Sequence, residues 1–254
     1  DETIKMACKL LVDKKRITGS RVMPFRFVTA YYELASEKNH QVLTAISDAL
    51  NISLENIPSF SGKTLICVDE SGSMKSTNSR SSVSNRALAC IFAAALVNKN
   101  PDCDVMAFSD TAKYVTINLR RPIIDAPSMF PNTMKGTNFN SIFRLALQSK
   151  VRYDRIIILS DMQGWMKDNV YDFYSGYRPT VGGAPKGTLD LYMKATGADP
   201  IIYSWDLAGY GDMMFSEKKV ITLAGWMGDK VFDLMSKVEG GLKGIVDAIW
   251  KVEL

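Results

Sequence analysis

The sequence has only one histidine, His40, and four cysteines, none of which forms a Cys-x-x-Cys pair. Because His40 stands in a polar turn pattern away from other reactive residues, a serine-hydrolase triad has no evident base. The cysteine spacing also argues against a zinc site. Cys67 and Cys90 fall in apolar strand and helix patterns, which is typical of buried thiols in a reducing compartment.

Long apolar segments are also missing. No apolar run is long enough to span a membrane, so we expect no membrane partner. The start of the sequence has no signal-peptide pattern, and its first residue is Asp rather than Met, as in a processed or trimmed chain. Together with the reduced cysteines, these features favour a cytoplasmic location.

The excess of basic charge is small and unevenly placed. The 254 residues carry a formal net charge of +4, and residues 1–35 hold seven basic and four acidic side chains. One interpretation is a solvated helical face, and the other is a surface that contacts phosphates. Seven basic residues are too few to prefer the second interpretation by themselves.

Residues 1–60 have the pattern of a short helical appendage. The predicted elements are helices over residues 3–12, 21–34 and 38–50, a charged break over 13–20, and a linker over 56–62. Pro24 suits the first turn of the second helix. We therefore expect the main domain to occupy residues 61–254.

The main domain shows alternating strand and helix patterns. Strands are predicted over 65–68, 104–108, 114–117, 155–159, 201–205 and 220–223, and helices over 84–97, 138–148, 188–196, 229–237 and 241–250. The strand over 114–117 is expected to run antiparallel to its predecessor. This alternation predicts an α/β fold with a doubly wound, mostly parallel sheet and helices on both faces. Ligands of such folds bind outside the carboxyl ends of the strands.

The most informative stretch follows the first predicted strand. The apolar run 65–68 ends at Asp69, and Ser71 and Ser73 follow at two-residue spacing. Gly72 between them is expected to permit a sharp turn. A carboxylate with two converging hydroxyl groups is the oxygen-rich environment that Mg²⁺ or another hard divalent cation prefers. The alternative is a serine-rich loop in which Asp69 only caps the next helix.

Two other places offer oxygen ligands at the same predicted edge. Thr137 immediately precedes a helix, and Asp161 follows the strand over 155–159. If these strands are neighbours of the first, the five side chains converge as a metal site: Asp69, Ser71, Ser73, Thr137 and Asp161. Taken alone, Thr137 is also compatible with a helix N-cap, and Asp161 with an ordinary loop acid.

The pattern Asp69-x-Ser71-x-Ser73, with Thr137 and Asp161, resembles the metal-ion-dependent adhesion site (MIDAS) of von Willebrand factor A domains, which have a Rossmann-like fold. The resemblance implies that the serines and the threonine ligate the metal directly. It also implies that the aspartates act through water and that a carboxylate from a protein partner completes the shell. Glu70 occupies a variable position of the motif and is assigned no role.

The sequence also resembles the Ro autoantigen (TROVE-module) family. The similarity lies in the segment from Ser20 to Phe27, in Ala107-Phe-Ser-Asp110 and in residues 224–254. It implies a ribonucleoprotein component that binds small noncoding RNA and acts in RNA quality control. Family members join a ring of helical repeats to an A domain, and residues 1–60 correspond only to the last helices of such a ring. Because the main RNA-binding surface of the family belongs to the rest of the ring, no RNA contact is assigned here.

Enzymatic alternatives fit less well. Haloacid-dehalogenase-like phosphatases use Asp-x-Asp, and here Ser71 stands where the general acid is required. Ser61-Gly-Lys-Thr64 resembles the end of a P-loop, but Ile57 occupies the position of its first glycine.

We therefore expect a non-enzymatic binding domain of the Ro type. The alternative is a stand-alone A-domain module for protein–protein interaction without an RNA role.

Two further segments are predicted with less consequence for function. Val181-Gly-Gly183 lies in a loop pattern and lacks the strand-turn-helix setting of a dinucleotide site. Four aromatic residues between 171 and 177 are expected to pack over the sheet edge or against a partner, with base stacking as the alternative. Trp205, Trp226 and Trp250 are expected to be core residues.

Overall fold

The computed structural model of the chain describes residues 2–20, 22–77, 82–163, 186–210, 220–224 and 230–240. The α-helices in these ranges are α1 (Glu2–Leu11), α2 (Lys14–Ser20), α3 (Pro24–Leu34), α4 (His40–Ser53), α5 (Asn85–Lys99), α6 (Asn140–Ser149), α7 (Lys186–Thr196) and α8 (Lys230–Glu239). The strands are β1 (Thr64–Asp69), β2 (Cys103–Phe108), β3 (Ala112–Tyr114), β4 (Arg155–Ser160), β5 (Ile201–Asp206) and β6 (Val220–Ala224). None of the helices in the described ranges has both the length and the apolar character that crossing a membrane requires.

The chain divides into a helical unit and a sheet unit. The helical unit contains α1 to α4, residues 98–100 and α8, and the sheet unit contains the described residues of 62–97 and 101–226. Within the predicted A domain, 61–254, helix α8 is grouped by its contacts with the N-terminal helices. The reason is packing, since the rings of Phe25 and Phe232 stack with their centroids 6.2 Å apart.

The helical unit follows the predicted pattern except at α2. Pro24 is the first residue of α3, and the Asn39 side chain caps α4 by accepting a hydrogen bond from Val42 N at 3.2 Å. The predicted break over 13–20 is wrong, because residues 14–20 form α2. The Asp13 carboxylate accepts from Arg16 N at 3.1 Å, so this acid begins a helix rather than interrupting one.

The six strands form one sheet in the order β3-β2-β1-β4-β5-β6. Only β3 is antiparallel, to β2, and the other strands pair in parallel. The predicted fold class is therefore confirmed. Because the chain moves from β1 to β2 on one side and later to β4 on the other, the carboxyl ends of β1 and β4 meet at a switch point.

Helices cover both faces of the sheet. Leu65 and Cys67 of β1 pack in one apolar cluster with Phe143 of α6 and Tyr192 of α7. On the other face, the Trp205 ring meets Phe92 of α5 edge-on at a centroid distance of 5.0 Å. Every residue of β1 and β4 is buried, which explains why both strands appear in the sequence as uninterrupted apolar runs.

Other predicted elements agree with the structure within a few residues, apart from β3. This strand spans residues 112–114 instead of 114–117, because Ser109 N bonds to Thr111 O at 2.9 Å and turns the chain earlier. Trp205 is buried as predicted. The helix predicted over 241–250, the aromatic segment 171–177, the glycines 182–183, Trp226 and Trp250 lie outside the described residues.

Candidate metal site

The end of β1 brings three oxygen-bearing side chains together. Asp69 is the last residue of β1, and its Oδ1 accepts a hydrogen bond from Ser71 N at 2.8 Å. The hydroxyl oxygens of Ser71 and Ser73 lie 3.2 Å apart. Asp69 and Ser71 are buried and Ser73 is partly exposed, so the group opens toward solvent at its serine end. Asp69, Ser71 and Ser73 therefore lie together at the end of β1, as their spacing predicts.

Gly72 does not play the part that the sequence suggested. Its φ is not in the left-handed region, and an added Cβ would meet Met134 O at 3.6 Å, an ordinary contact. The turn after Ser71 is a 3-10 helix, residues 72–75, which an alanine would also permit. The chain does turn at Gly72, but the turn does not use the conformational freedom of glycine on which the prediction was based.

The end of β4 is joined to the end of β1 through a serine that the sequence analysis did not single out. Ser160 Oγ donates to Asp69 Oδ2 at 2.5 Å and accepts from Met162 N at 3.0 Å. Asp161 follows directly and is buried; its Oδ1 accepts from Gln163 N at 3.3 Å. Its Oδ2 is also buried and has no hydrogen-bond partner in the part of the chain that the structure describes. A buried carboxylate oxygen without a donor is costly unless a cation or a ligand group satisfies it.

The electrostatics of the two aspartates favour a cation. The pKa of Asp69 is raised to about 7, and burial is the largest cause. Hydrogen bonds from Ser160 and Ser71 act in the opposite direction, and the negative charge of Asp161 adds to the rise. Among the ion pairs formed by described residues, none includes Asp69 or Asp161. Two neighbouring buried carboxylates therefore lack a basic side-chain partner in this part of the chain.

Thr137 lies in a segment that is fastened to the same edge by its backbone. Gly72 N donates to Lys135 O at 3.1 Å, and Asn138 N donates to Ser109 O at 2.7 Å. Thr137, between these two anchors, is buried. The alternative role as a helix N-cap is wrong, because α6 begins at Asn140 and its N-cap residue is Phe139.

The residues present fit a hard divalent cation. In the described ranges there is no group of three or more His, Cys, Asp or Glu side chains that could hold a metal. A cation here would therefore depend on hydroxyl groups together with the two carboxylates. This is the donor chemistry that Mg²⁺ accepts, usually with water in the remaining positions. The unpartnered Asp161 Oδ2 is the observation that makes the fit specific.

The structure also shows an ion pair that the sequence analysis missed. The Glu70 carboxylate, between Asp69 and Ser71, is fully buried and accepts from Arg86 Nε at 2.9 Å. Burial raises the pKa of Glu70, although Arg86 lowers it. The two residues are 16 positions apart, and neither belongs to a periodic pattern that would have indicated the pairing.

Residues 63–186 match the family model described as the Ro60 vWA domain. Over this segment the chain is similar to the Ro60 vWA domain family. All five candidate metal ligands lie inside it, so the predicted resemblance to the von Willebrand factor A domain of the Ro family is confirmed.

Solved structures give the same fold. The crystal structure of the Deinococcus radiodurans Ro (RSR) protein superposes with a TM-score of 0.75 at 16% identity, over 94% of this chain and 49% of that one. At this identity the likeness shows the fold alone, and the chain spans about half the length of that protein. No curated protein matches the chain.

Two further bacterial structures are less similar to this chain than the Deinococcus structure is. One is BatB from Bacteroides thetaiotaomicron, with a TM-score of 0.44 at 13% identity over 74% of this chain and 98% of that one. The other is an aerotolerance-related membrane protein from Bacteroides fragilis, with a TM-score of 0.39 at 13% identity over 71% of this chain and 89% of that one. TM-scores below 0.5 do not establish a shared fold, so nothing about this chain is inferred from these two structures.

Proposed function

We propose that this chain is a non-enzymatic, divalent-metal-dependent binding domain of a Ro-type protein that binds small noncoding RNA. Its setting is a cytoplasmic ribonucleoprotein that acts in RNA quality control. The single observation that carries the metal part is the buried, unpartnered Oδ2 of Asp161 beside the Asp69 turn. The four free cysteines support a reducing compartment.

The proposed metal is Mg²⁺ or another hard divalent cation. Ser71, Ser73 and Thr137 would ligate it directly, and Asp69 and Asp161 would act through water, as the resemblance to the adhesion site implies. The cation would supply a positive charge with an open position for an acidic group of a protein partner. The protein residues keep that position in place because β1 and β4 are buried on both faces and are rigid supports.

The non-enzymatic part of the proposal rests on what surrounds Asp69. Each of its carboxylate oxygens accepts a hydrogen bond, from Ser71 N and from Ser160 Oγ, and the residue two positions on is Ser71 rather than the general acid that phosphoryl transfer through Asp69 would need. His40 lies in the helical unit. The purified chain is expected to leave phosphate esters and nucleotides intact. Mg²⁺-dependent turnover that disappears in Asp69→Ala would contradict this.

This chain spans about half the length of the Deinococcus Ro protein, and the rest of the ring, which carries the family's main RNA-binding surface, is not part of it. The alternative to RNA binding is therefore a protein-interaction module. The basic residues of α1 are the place to test it. Lys5 and Lys9 are exposed and four residues apart, and they therefore share a helix face. Two other basic side chains of the region form ion pairs, Lys14 with Glu55 at 2.6 Å and Arg16 with Asp13 at 3.7 Å.

The experiment is a titration with a structured small RNA at low and moderate salt. Binding with a steep salt dependence supports the RNA proposal, since each phosphate contact adds roughly 0.7–0.9 to the slope of log K against log salt. Lys5→Ala/Lys9→Ala should reduce that slope, whereas the control Lys113→Ala/Lys194→Ala, at two other exposed lysines, should not. Absence of binding at low salt would leave the protein-interaction module.

A further inference from the structure

One side chain connects the motif strand to the segment that leads to Thr137. Arg86, in the first turn of α5, donates from Nε to Glu70 Oε2 at 2.9 Å. Its Nη2 points to three carbonyl oxygens of one loop, those of Pro127 at 3.2 Å and of Phe130 and Pro131 at 3.4 Å. Only 12% of the Arg86 side chain is exposed, so the guanidinium group is held among these partners.

Glu70 is attached to the same segment through its backbone. Its carbonyl oxygen accepts from Met134 N at 3.0 Å and from Thr133 Oγ1 at 3.3 Å. Glu70 N donates to Phe108 O at 2.7 Å, which fixes it to β2. Glu70 is therefore connected to the first part of residues 127–134 through Arg86, and to the last part directly through its own carbonyl oxygen.

We propose that Glu70 and Arg86 are positioning residues that fix the segment 127–137, and with it Thr137, against the Asp69–Ser73 turn. The proposal rests on the proposed metal site for its functional consequence. In this arrangement two of the ligand-bearing segments cannot separate without breaking either the Arg86–Glu70 ion pair or the hydrogen bonds from Arg86 to the loop carbonyls. Without Arg86, the two segments would still be joined by backbone hydrogen bonds between Glu70–Gly72 and Met134–Lys135 and by the Thr133 hydroxyl, so we expect a loosened segment rather than a detached one.

The shape of the arginine side chain is what allows this role. A planar guanidinium group can serve a carboxylate with one nitrogen and carbonyl oxygens with another, whereas a lysine ammonium group is a single point of charge. Arg86→Lys keeps the positive charge beside Glu70 and loses the carbonyl contacts. This variant therefore separates positioning of the loop from neutralisation of the buried carboxylate.

The first measurement is amide hydrogen exchange in metal-free protein. In Arg86→Lys, the amides of Met134 and Gly72 are expected to exchange about tenfold faster, because the hydrogen bonds that restrain their partners are lost. Amides of β4 should keep wild-type protection, which shows that the domain remains folded. Glu70→Gln, which removes the charge but keeps the size, should show the same selective effect.

The matched control is Arg121→Lys. Arg121 forms an exposed ion pair with Asp125 at 3.4 Å, close in sequence to the same loop. Its replacement by lysine should leave the exchange of Met134 and Gly72 unchanged, since an exposed pair of this kind restrains little.

The second measurement is Mg²⁺ affinity by calorimetry. Loss of a residue that orients metal ligands typically weakens binding by about 10–100-fold, and we expect Arg86→Lys to fall in this range while Arg121→Lys matches the wild type. Unchanged exchange at Met134 and Gly72 would overturn the proposal, whatever the metal affinity. Faster exchange with unchanged Mg²⁺ affinity would overturn the link to the metal site. If the wild type binds no Mg²⁺, the proposed function fails, and the exchange result alone supports or overturns the positioning role.

Discussion

Ser160 makes two hydrogen bonds that hold the ends of β1 and β4 together, and Ser160→Ala removes both. Its Oγ donates to Asp69 Oδ2 at 2.5 Å and accepts from Met162 N at 3.0 Å. The residue is fully buried, so water cannot replace the lost hydroxyl group without a rearrangement. Asp69 keeps its hydrogen bond from Ser71 N, at the other carboxylate oxygen.

The expected cost follows from these two contacts. At a pH above the Asp69 pKa of about 7, the hydrogen bond to its carboxylate contributes about 1.5–3 kcal/mol, and a buried N–H without a partner costs about 1–3 kcal/mol. Since the two effects share one site and are not strictly additive, we expect Ser160→Ala to lower the free energy of unfolding by about 3–4 kcal/mol. This is less than the total stability of most domains, about 5–15 kcal/mol, so the variant should still fold.

The assay is urea denaturation of metal-free protein, with Ser204→Ala as the matched control. Ser204 is a buried serine on the neighbouring strand β5, and its Oγ donates to the thioether sulfur of Met162, at 3.3 Å. Because a thioether is a weak acceptor, the control should cost less than about 1 kcal/mol. A loss in Ser160→Ala no larger than that in Ser204→Ala would refute the assigned role of the Asp69–Ser160 hydrogen bond.

Three further substitutions test the surrounding structure by the same denaturation assay. Gly62→Ala should cost about 2 kcal/mol, because Gly62 has φ +80° and an added Cβ would come within 2.7 Å of Asp154 Oδ2. Gly19→Ala should instead stabilise by about 0.5–1 kcal/mol, since Gly19 lies in α2 with no atom near its added Cβ; equal effects of the two would contradict this account. Tyr153→Phe should cost about 1.5–3 kcal/mol, because its hydroxyl donates to Asp104 Oδ2 at 2.8 Å, and a neutral result would show that this bond adds nothing.

The central strands could be predicted because burial on both faces leaves an unbroken apolar run, as in β1 and β4. The same pattern placed Asp69 and Asp161 at strand ends. Shorter elements were harder, since α2 begins at an acid that looked like a break. Asp13 acts there through a local hydrogen bond, and apolar periodicity does not record such bonds.

The motif residues of the candidate site could be found from sequence, but the residues that support them could not. Ser160 contacts Asp69 because β1 and β4 are parallel neighbours in a fixed register, in which Val68 pairs with Leu159. Such contacts depend on tertiary structure and leave no local signal. The same is true of Glu70, whose side chain looked variable and is in fact buried against Arg86.

The most direct measurement for the metal site is a calorimetric titration of Mg²⁺ into the wild type, Asp69→Ala and Asp102→Ala. Asp102 is the control, because its side chain is 67% exposed and pairs with Lys63 rather than with any candidate ligand. We expect the wild type and Asp102→Ala to bind Mg²⁺ with equal affinity. Asp69→Ala should bind none while its circular dichroism shows a folded domain. Equal Mg²⁺ affinity in the wild type and Asp69→Ala would contradict the assignment of the cation to Asp69, Ser71, Ser73, Thr137 and Asp161.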